Sequence, residues 1–194
     1  MEKRLADVAE VRMGYSFRSR LEPDSSGDLA VIQMKDIDDL DALHPESFVR
    51  IRMPALREKH LVQEGDLLFR SRGTPNTTAV VEGCLGRTVL AAPMMLIRIE
   101  NVSIEPAYLQ WFINQPTTQN VLAAQAAGTA VKMISKAALE QLVIAVPPLE
   151  IQRQIVEIGR LASFETRITT ELMDRRKLLI EKILIRKAQG PRSA

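Results

Sequence analysis

Residues 142–155 read Leu142-Val143-Ile144-Ala145-Val146-Pro147-Pro148-Leu149-Glu150-Ile151-Gln152-Arg153-Gln154-Ile155. Two kinds of structure meet here. The apolar Val143–Val146 run predicts a buried closing strand. Pro147-Pro148 cannot continue it, and proline followed by Glu150 suits the first turn of a helix. From Leu149 to Lys187 there is no Pro and a single Gly, at 159. Ile151, Ile155, Ile158, Leu161, Ile168, Leu172, Leu179 and Ile183 recur mostly three or four residues apart, with charges on the other faces. A helix of about 38 residues would run about 57 Å, more than a short domain can cover. Its apolar stripe therefore calls for a partner, against the plainer reading of a helix folded back on its own domain. Glu165, Thr169 and Arg176 interrupt the heptads, so a short antiparallel pair or bundle fits better than an extended coiled coil.

Outward from this junction, residues 1–148 read as one mixed domain, 149–188 as the helix and 189–194 as a tail. Lys3–Val11 predicts a short helix. Leu29–Met34, Phe48–Met53, Leu67–Phe69, Thr77–Glu82, Thr88–Leu90 and Pro93–Ile99 predict strands. Pro54 predicts a short helix to His60, and Glu105–Gln115, Thr117–Ala127 and Ser135–Leu142 predict three more, the second ended by Gly128. Without a regular strand–helix–strand repeat, the fold class is α/β in the α+β sense, with a mixed, mainly antiparallel sheet.

The net charge of +2 over 194 residues conceals a split. Residues 1–149 hold 16 basic and 18 acidic side chains, whereas 150–194 hold 10 and 6. A non-specific polycation is excluded, and any contact with nucleic acid must rest on local patches. Aromatics at 4% argue against a single-strand stacking platform. The longest apolar run, Val89–Ile97, is too short to cross a membrane. No secretory leader is legible, and the single Cys84 suits a reducing cytoplasm.

Catalytic groups are hard to find. His44 and His60 lack metal-ligand spacing, and Cys84 has no second thiol. Asp36, Asp38, Asp39 and Asp41 lack the glycine and distal glutamate of a calcium loop. No phosphate-binding glycine loop and no Asn-Pro-Pro-Tyr methylation motif occurs. The expectation is a non-enzyme with no cofactor and no metal.

Four segments recur in a distinctive order: Leu5-Ala6-Asp7-Val8-Ala9-Glu10-Val11-Arg12-Met13-Gly14-Tyr15-Ser16-Phe17, then Glu64-Gly65-Asp66-Leu67-Leu68-Phe69-Arg70-Ser71-Arg72-Gly73, then Gly128-Thr129-Ala130-Val131-Lys132-Met133-Ile134-Ser135, then the junction itself. Together they span nearly the whole chain. The chain resembles the specificity subunits of type I restriction–modification systems, the Pro-Pro-Leu-Glu-x-Gln-x-x-Ile segment being the most specific part. The resemblance implies a target recognition domain followed by a conserved spacer helix. It implies double-stranded DNA as the ligand, and assembly with methyltransferase (modification) subunits and, in complexes that cut, a motor-nuclease subunit. Such subunits usually carry two recognition domains and two helices, and this chain has one of each. It reads as a half-subunit, natural or truncated, whose homodimer would rebuild the pair and impose two-fold symmetry on a bipartite target. Two alternatives stand beside this: a recognition module of a fused methyltransferase–nuclease, and a helix-mediated scaffold without DNA affinity.

Arginine and lysine suit guanine edges, asparagine and glutamine suit adenine, and Ser/Thr suit phosphates. Three loops offer them. One carries Tyr15, Ser16, Arg18, Ser19 and Arg20. The second carries Arg70, Ser71, Arg72, Thr74, Asn76 and Thr77. The third carries Thr129, Lys132, Ser135 and Lys136. The expectation is that they form one DNA-facing edge, against the plainer reading of ordinary solvated turns.

Overall fold

The computed structural model describes residues 1–126 and 132–189. They divide into two compact units, one ending at Arg153 and the other beginning at Gln154. The first is an α+β domain with three small sheets. Strands β2 (Ala9–Met13), β8 (Met95–Ile99), β5 (Leu67–Phe69) and β6 (Thr78–Val80) form an antiparallel sheet in the order β2-β8-β5-β6. A second sheet has β3 (Leu29–Ile32) between antiparallel β4 (Val49–Ile51) and parallel β7 (Thr88–Leu90). The third pairs β1 (Glu2–Arg4) with β9 (Val143–Ala145), joining the two ends of the domain. The mixed, mainly antiparallel pairing follows the sequence reading.

The core explains the pairing. Every residue of β3 is buried, which suits a central strand covered on both faces. Its Ile32 packs with Leu68, Ala79, Leu90, Met94 and Leu96. Leu29 and Val31 point the other way, to Ile51, Leu56, Val89 and Ala91. Helix α1 (Pro106–Asn114) packs on β6 and α2 (Pro116–Gln125) on α1, while α3 (Lys136–Glu140) packs on β2. Helix α1 buries Tyr108, Leu109 and Ile113, each worth about 1.5–3 kcal/mol in apolar transfer. Ser135 caps α3, its hydroxyl accepting from the Ala138 amide at 3.1 Å.

Three local readings change. Lys3–Val11 is not a helix: Leu5–Asp7 is one 3-10 turn between β1 and β2. The helical spacing of Leu5, Val8 and Ala9 reflects burial on either side of that turn, and five pairs with β8 outweigh it. Pro54–His60 forms only a 3-10 turn at Glu58–His60. The chain there is held extended, with the Met53 amide on Asp28 at 2.8 Å and the Val62 amide on the Thr88 carbonyl at 2.8 Å. The closing strand is not buried throughout, since β9 pairs on one side only and exposes Val143 and Ala145 about a buried Ile144.

Helix α4 runs from Leu149 to Ala188. Its first turn lies in the first unit and buries Gln152 completely. Gln152 Nε2 donates to the Ser103 and Pro147 carbonyls at 2.7 and 2.8 Å, and Oε1 accepts from the Glu105 amide at 2.9 Å. Arg153 clasps Glu105 outside this knot, Nη2 to Oε1 at 2.7 Å.

Candidate nucleic-acid interface

The Gly14–Arg20 loop is built on backbone contacts to Leu90–Met94. Gly14 donates to the Met94 carbonyl at 2.8 Å, Tyr15 to Leu90 at 2.6 Å, and Ala92 returns a bond to Tyr15 at 3.0 Å. A Cβ on Gly14 would lie 2.6 Å from the Ala91 carbonyl carbon, so the close approach demands glycine. The Tyr15 ring is half-buried, edge-on to Phe17 and His60 at 4.9 and 5.5 Å. Ser16, Arg18, Ser19 and Arg20 are exposed beyond this anchor.

The Arg70–Thr77 loop splits into two sets. Arg70 turns inward: its Nη2 donates to the Ile37 carbonyl at 2.9 Å and to that of Asp38, and faces Asp41 at 3.8 Å. Asn76 is buried, donating from Nδ2 to the Arg70 carbonyl at 2.9 Å, and its backbone pairs with the Gln119 amide group. The Thr77 hydroxyl donates to Asp41, and the Ser71 hydroxyl to the Pro93 carbonyl. Arg72 and Thr74 point out and are exposed. One set builds the loop and the other is free to meet a ligand.

The third segment joins the second. Arg72 and Met133 form an antiparallel bridge, Gly73 donates to the Lys132 carbonyl at 3.1 Å, and Ile134 donates to Ser71 at 2.8 Å. Lys132, Ser135 and Lys136 are exposed, Lys136 reaching Glu140 at 3.5 Å. Thr129 lies outside the described residues. The three sequence-predicted loops are thus linked in series: 15 to 90–92, 93 to 71, and 72–73 to 132–133.

Sequence reasoning did not single out Gln33 or Lys35, which lie beside the first loop. A concavity of about 610 Å³ is lined by Ser16, Arg20, Gln33, Lys35, Ala92 and Pro93, among others. Gln33 and Lys35 follow β3, and Lys35 is exposed. The available signal was the polar Gln33-Met34-Lys35 run leaving a fully apolar strand.

The acidic loop beside Arg70 is structural. Asp36 is buried and accepts from the Gln33 amide at 2.7 Å and the Ser47 hydroxyl at 3.0 Å. Burial pushes the Asp41 carboxyl above the ordinary range, against the opposing pull of Thr77 and Arg70. His44 bridges Asp38 and Glu46 at 3.0 Å each, which raises the imidazole and holds the Asp38 carboxyl low. Among the described residues no group of three His, Cys, Asp or Glu could hold a metal ion, and no helix is long and apolar enough to cross a membrane. Along α4, Ile151, Ile158, Leu161, Ile168, Leu172, Leu179 and Ile183 are exposed and Ile155 is half-buried.

A family model described as the type I restriction modification DNA specificity domain matches residues 1–182. None of the curated proteins matches. Among solved structures, the chain is similar to the HsdS subunit from Thermoanaerobacter tengcongensis, with 22% identity, a TM-score of 0.59, and coverage of 88% of this chain and 38% of that one. It is similar to a chain from work on the structural basis of complex assembly and conformational transition of the type I R-M system, with 23% identity, a TM-score of 0.60, and coverage of 98% and 44%. It is also similar to the type I restriction–modification S subunit from M. genitalium, with 10% identity, a TM-score of 0.53, and coverage of 86% and 39%. At these identities the likeness establishes the fold. The chain spans about two fifths of the length of these relatives.

Proposed function

The chain belongs to the family of type I restriction–modification DNA specificity domains, and from that membership we propose that it is a non-catalytic reader of one half of a bipartite double-stranded target. The observation that carries this reading is the serial linkage of the three loops through Tyr15–Ala91, Ser71–Pro93 and Arg72–Met133. It gathers Arg20, Arg72, Thr74 and Lys132 on connected segments, and Lys35 lines one concavity with Arg20. Arg18, Lys136 and Ser16 extend the same set. Arginine and lysine there suit guanine edges and phosphates, and Gln33 suits adenine. The buried members (Arg70, Asn76, Thr77) shape the loops and do not read bases.

Helix α4 supplies the second half of the function. Its exposed apolar stripe pairs with an equivalent helix, so that two recognition domains act together. A homodimer presents two copies of one reader and favours a two-fold symmetric target. Modification subunits supply methyl transfer, and a motor-nuclease subunit supplies cleavage where the complex cuts.

The test is selection from a random duplex pool, using the chain alone and with its modification subunits, followed by sequencing. Enrichment of two symmetric half-sites separated by a fixed spacer is the expected result. No enrichment with the modification subunits present overturns DNA reading and leaves the helix-mediated scaffold.

A further inference from the structure

Two charges of opposite sign occupy the middle of the apolar stripe of α4. Glu165 and Arg176 are separated by three helical turns, about 16 Å along the axis and about 20° around it. Both lie between Ile158 and Ile183, and both are exposed. Neither has an ion-pair partner among the described residues, whereas Glu157 pairs with Arg160 and Glu171 with Arg175 along the same helix.

We infer that α4 pairs with α4 of a second copy in one antiparallel register, its two-fold axis between Thr170 and Glu171, with Glu165 of each copy against Arg176 of the other. This rests on the helix pairing proposed above, whose antiparallel sense the family resemblance already implies, and adds what fixes its register. About that axis the stripe is its own complement. Ile158 faces Ile183, Leu161 faces Ile180, Ala162 faces Leu179, Ile168 faces Met173 and Thr169 faces Leu172. The two charges then meet as two reciprocal ion pairs inside an otherwise apolar seam.

Other arrangements are penalised by the same two residues. A parallel in-register pair sets Glu165 against Glu165 and Arg176 against Arg176. A slide of one heptad sets Arg176 against Leu172 or Ile158, and Glu165 against Ile183 or Thr169. An unpaired charge in such a seam is strongly unfavourable, and polar residues at seam positions serve to select register. The pairs therefore act on specificity more than on strength, as seam charges do when apolar layers supply the association.

Sedimentation equilibrium on the full chain at micromolar concentration tests this. Wild type is expected to dimerise. E165R and R176E alone each create two like-charge contacts, and each is expected to raise the dimer Kd at least tenfold. An equimolar mixture of the two single variants is expected to form heterodimers near wild-type strength, and the E165R/R176E double variant to regain the homodimer. In a Cys84→Ser background, A162C/L179C is expected to oxidise to a covalent dimer, since these positions lie too far apart within one helix to join. Single variants that dimerise as tightly as wild type, or a mixture no tighter than its parts, overturn the register while leaving pairing intact. A monomeric wild type overturns the pairing itself, and the register with it.

Discussion

Gln152 accepts the Glu105 backbone amide at 2.9 Å while its own amide group donates to Ser103 and Pro147. The glutamine of the Pro-Pro-Leu-Glu-x-Gln motif is thus the buried fastener between the first turn of α4 and the segment that starts α1. Gln152→Ala would leave three backbone groups unpaired in a site with no solvent access. The expected loss is about 2–4 kcal/mol, read as a lowered urea midpoint and a Tm lower by roughly 2–4 °C per kcal/mol. A variant as stable as wild type would show that the knot contributes nothing.

Arg70 and Arg72 are two residues apart and should behave oppositely. Arg70→Ala removes the donors holding the Ile37 and Asp38 carbonyls and is expected to lower stability by about 2–4 kcal/mol. It should leave the salt dependence of DNA binding unchanged. Arg72→Ala is expected to leave stability within about 0.5 kcal/mol and to reduce the salt slope by about 1 if it meets phosphate, or to cost roughly 1–3 kcal/mol at one base position if it reads guanine. Urea unfolding and gel shifts at several salt concentrations separate the two. The reverse pattern would exchange their roles.

Gly14→Ala places a methyl against the Ala91–Ala92 backbone, with contacts of 2.6–2.7 Å. All three close atoms belong to the Ala91–Ala92 peptide, so no flexible side chain is there to yield. A loss of roughly 1–3 kcal/mol is expected from overpacking, together with weakened DNA binding as Ser16–Arg20 shift. Thermal melts and gel shifts on one preparation test both. Unchanged DNA affinity at reduced stability would detach this loop from the interface.

The His44 clasp gives a pH signature. Its hydrogen bonds to Asp38 and then Glu46 raise its pKa above the ordinary value of about 6.5. The folded state binds the proton more tightly, so the stabilisation is fully present below about pH 6.5 and is lost as pH rises through the folded pKa. The depressed Asp38 has the opposite sign: its contribution holds above the ordinary carboxylate range and is lost as pH falls through its folded pKa. Urea midpoints of wild type are therefore expected to fall relative to His44→Gln between pH 6 and pH 8.5. Parallel curves would exclude the clasp as a source of stability.

Much was legible along the chain because it is local. The Pro-Pro start and length of α4, the Ser135 cap, the proline opening α1, and the short apolar strands all follow from backbone chemistry within a few residues, whereas Pro116, which reads as the stop of α1, also opens α2. The three loops were legible as polar breaks between those strands. The failures were also local patterns. Leu5, Val8 and Ala9 have helical spacing, yet β2 forms there because β8 offers a ladder distant in sequence. Gln33 and Lys35 were missed because nothing near them reveals that β3 ends beside Tyr15 and Pro93.

The sequence by itself determined the α+β class, the long helix after Pro147-Pro148 with its apolar spacing, and the residue types of the three polar loops. Periodicity, prolines and charge are properties of neighbouring residues and need no fold to be read. Only the tertiary structure decided which of those loop residues are available. Arg70 and Arg72 are identical in kind, but long-range carbonyls and a carboxylate on Ile37, Asp38 and Asp41 draw one guanidinium inward, while the Met133 bridge leaves the other side chain outside. The same long-range hydrogen bonding turned the motif glutamine into a buried fastener, because a side-chain amide with no access to water is held only where backbone groups from distant segments converge on it.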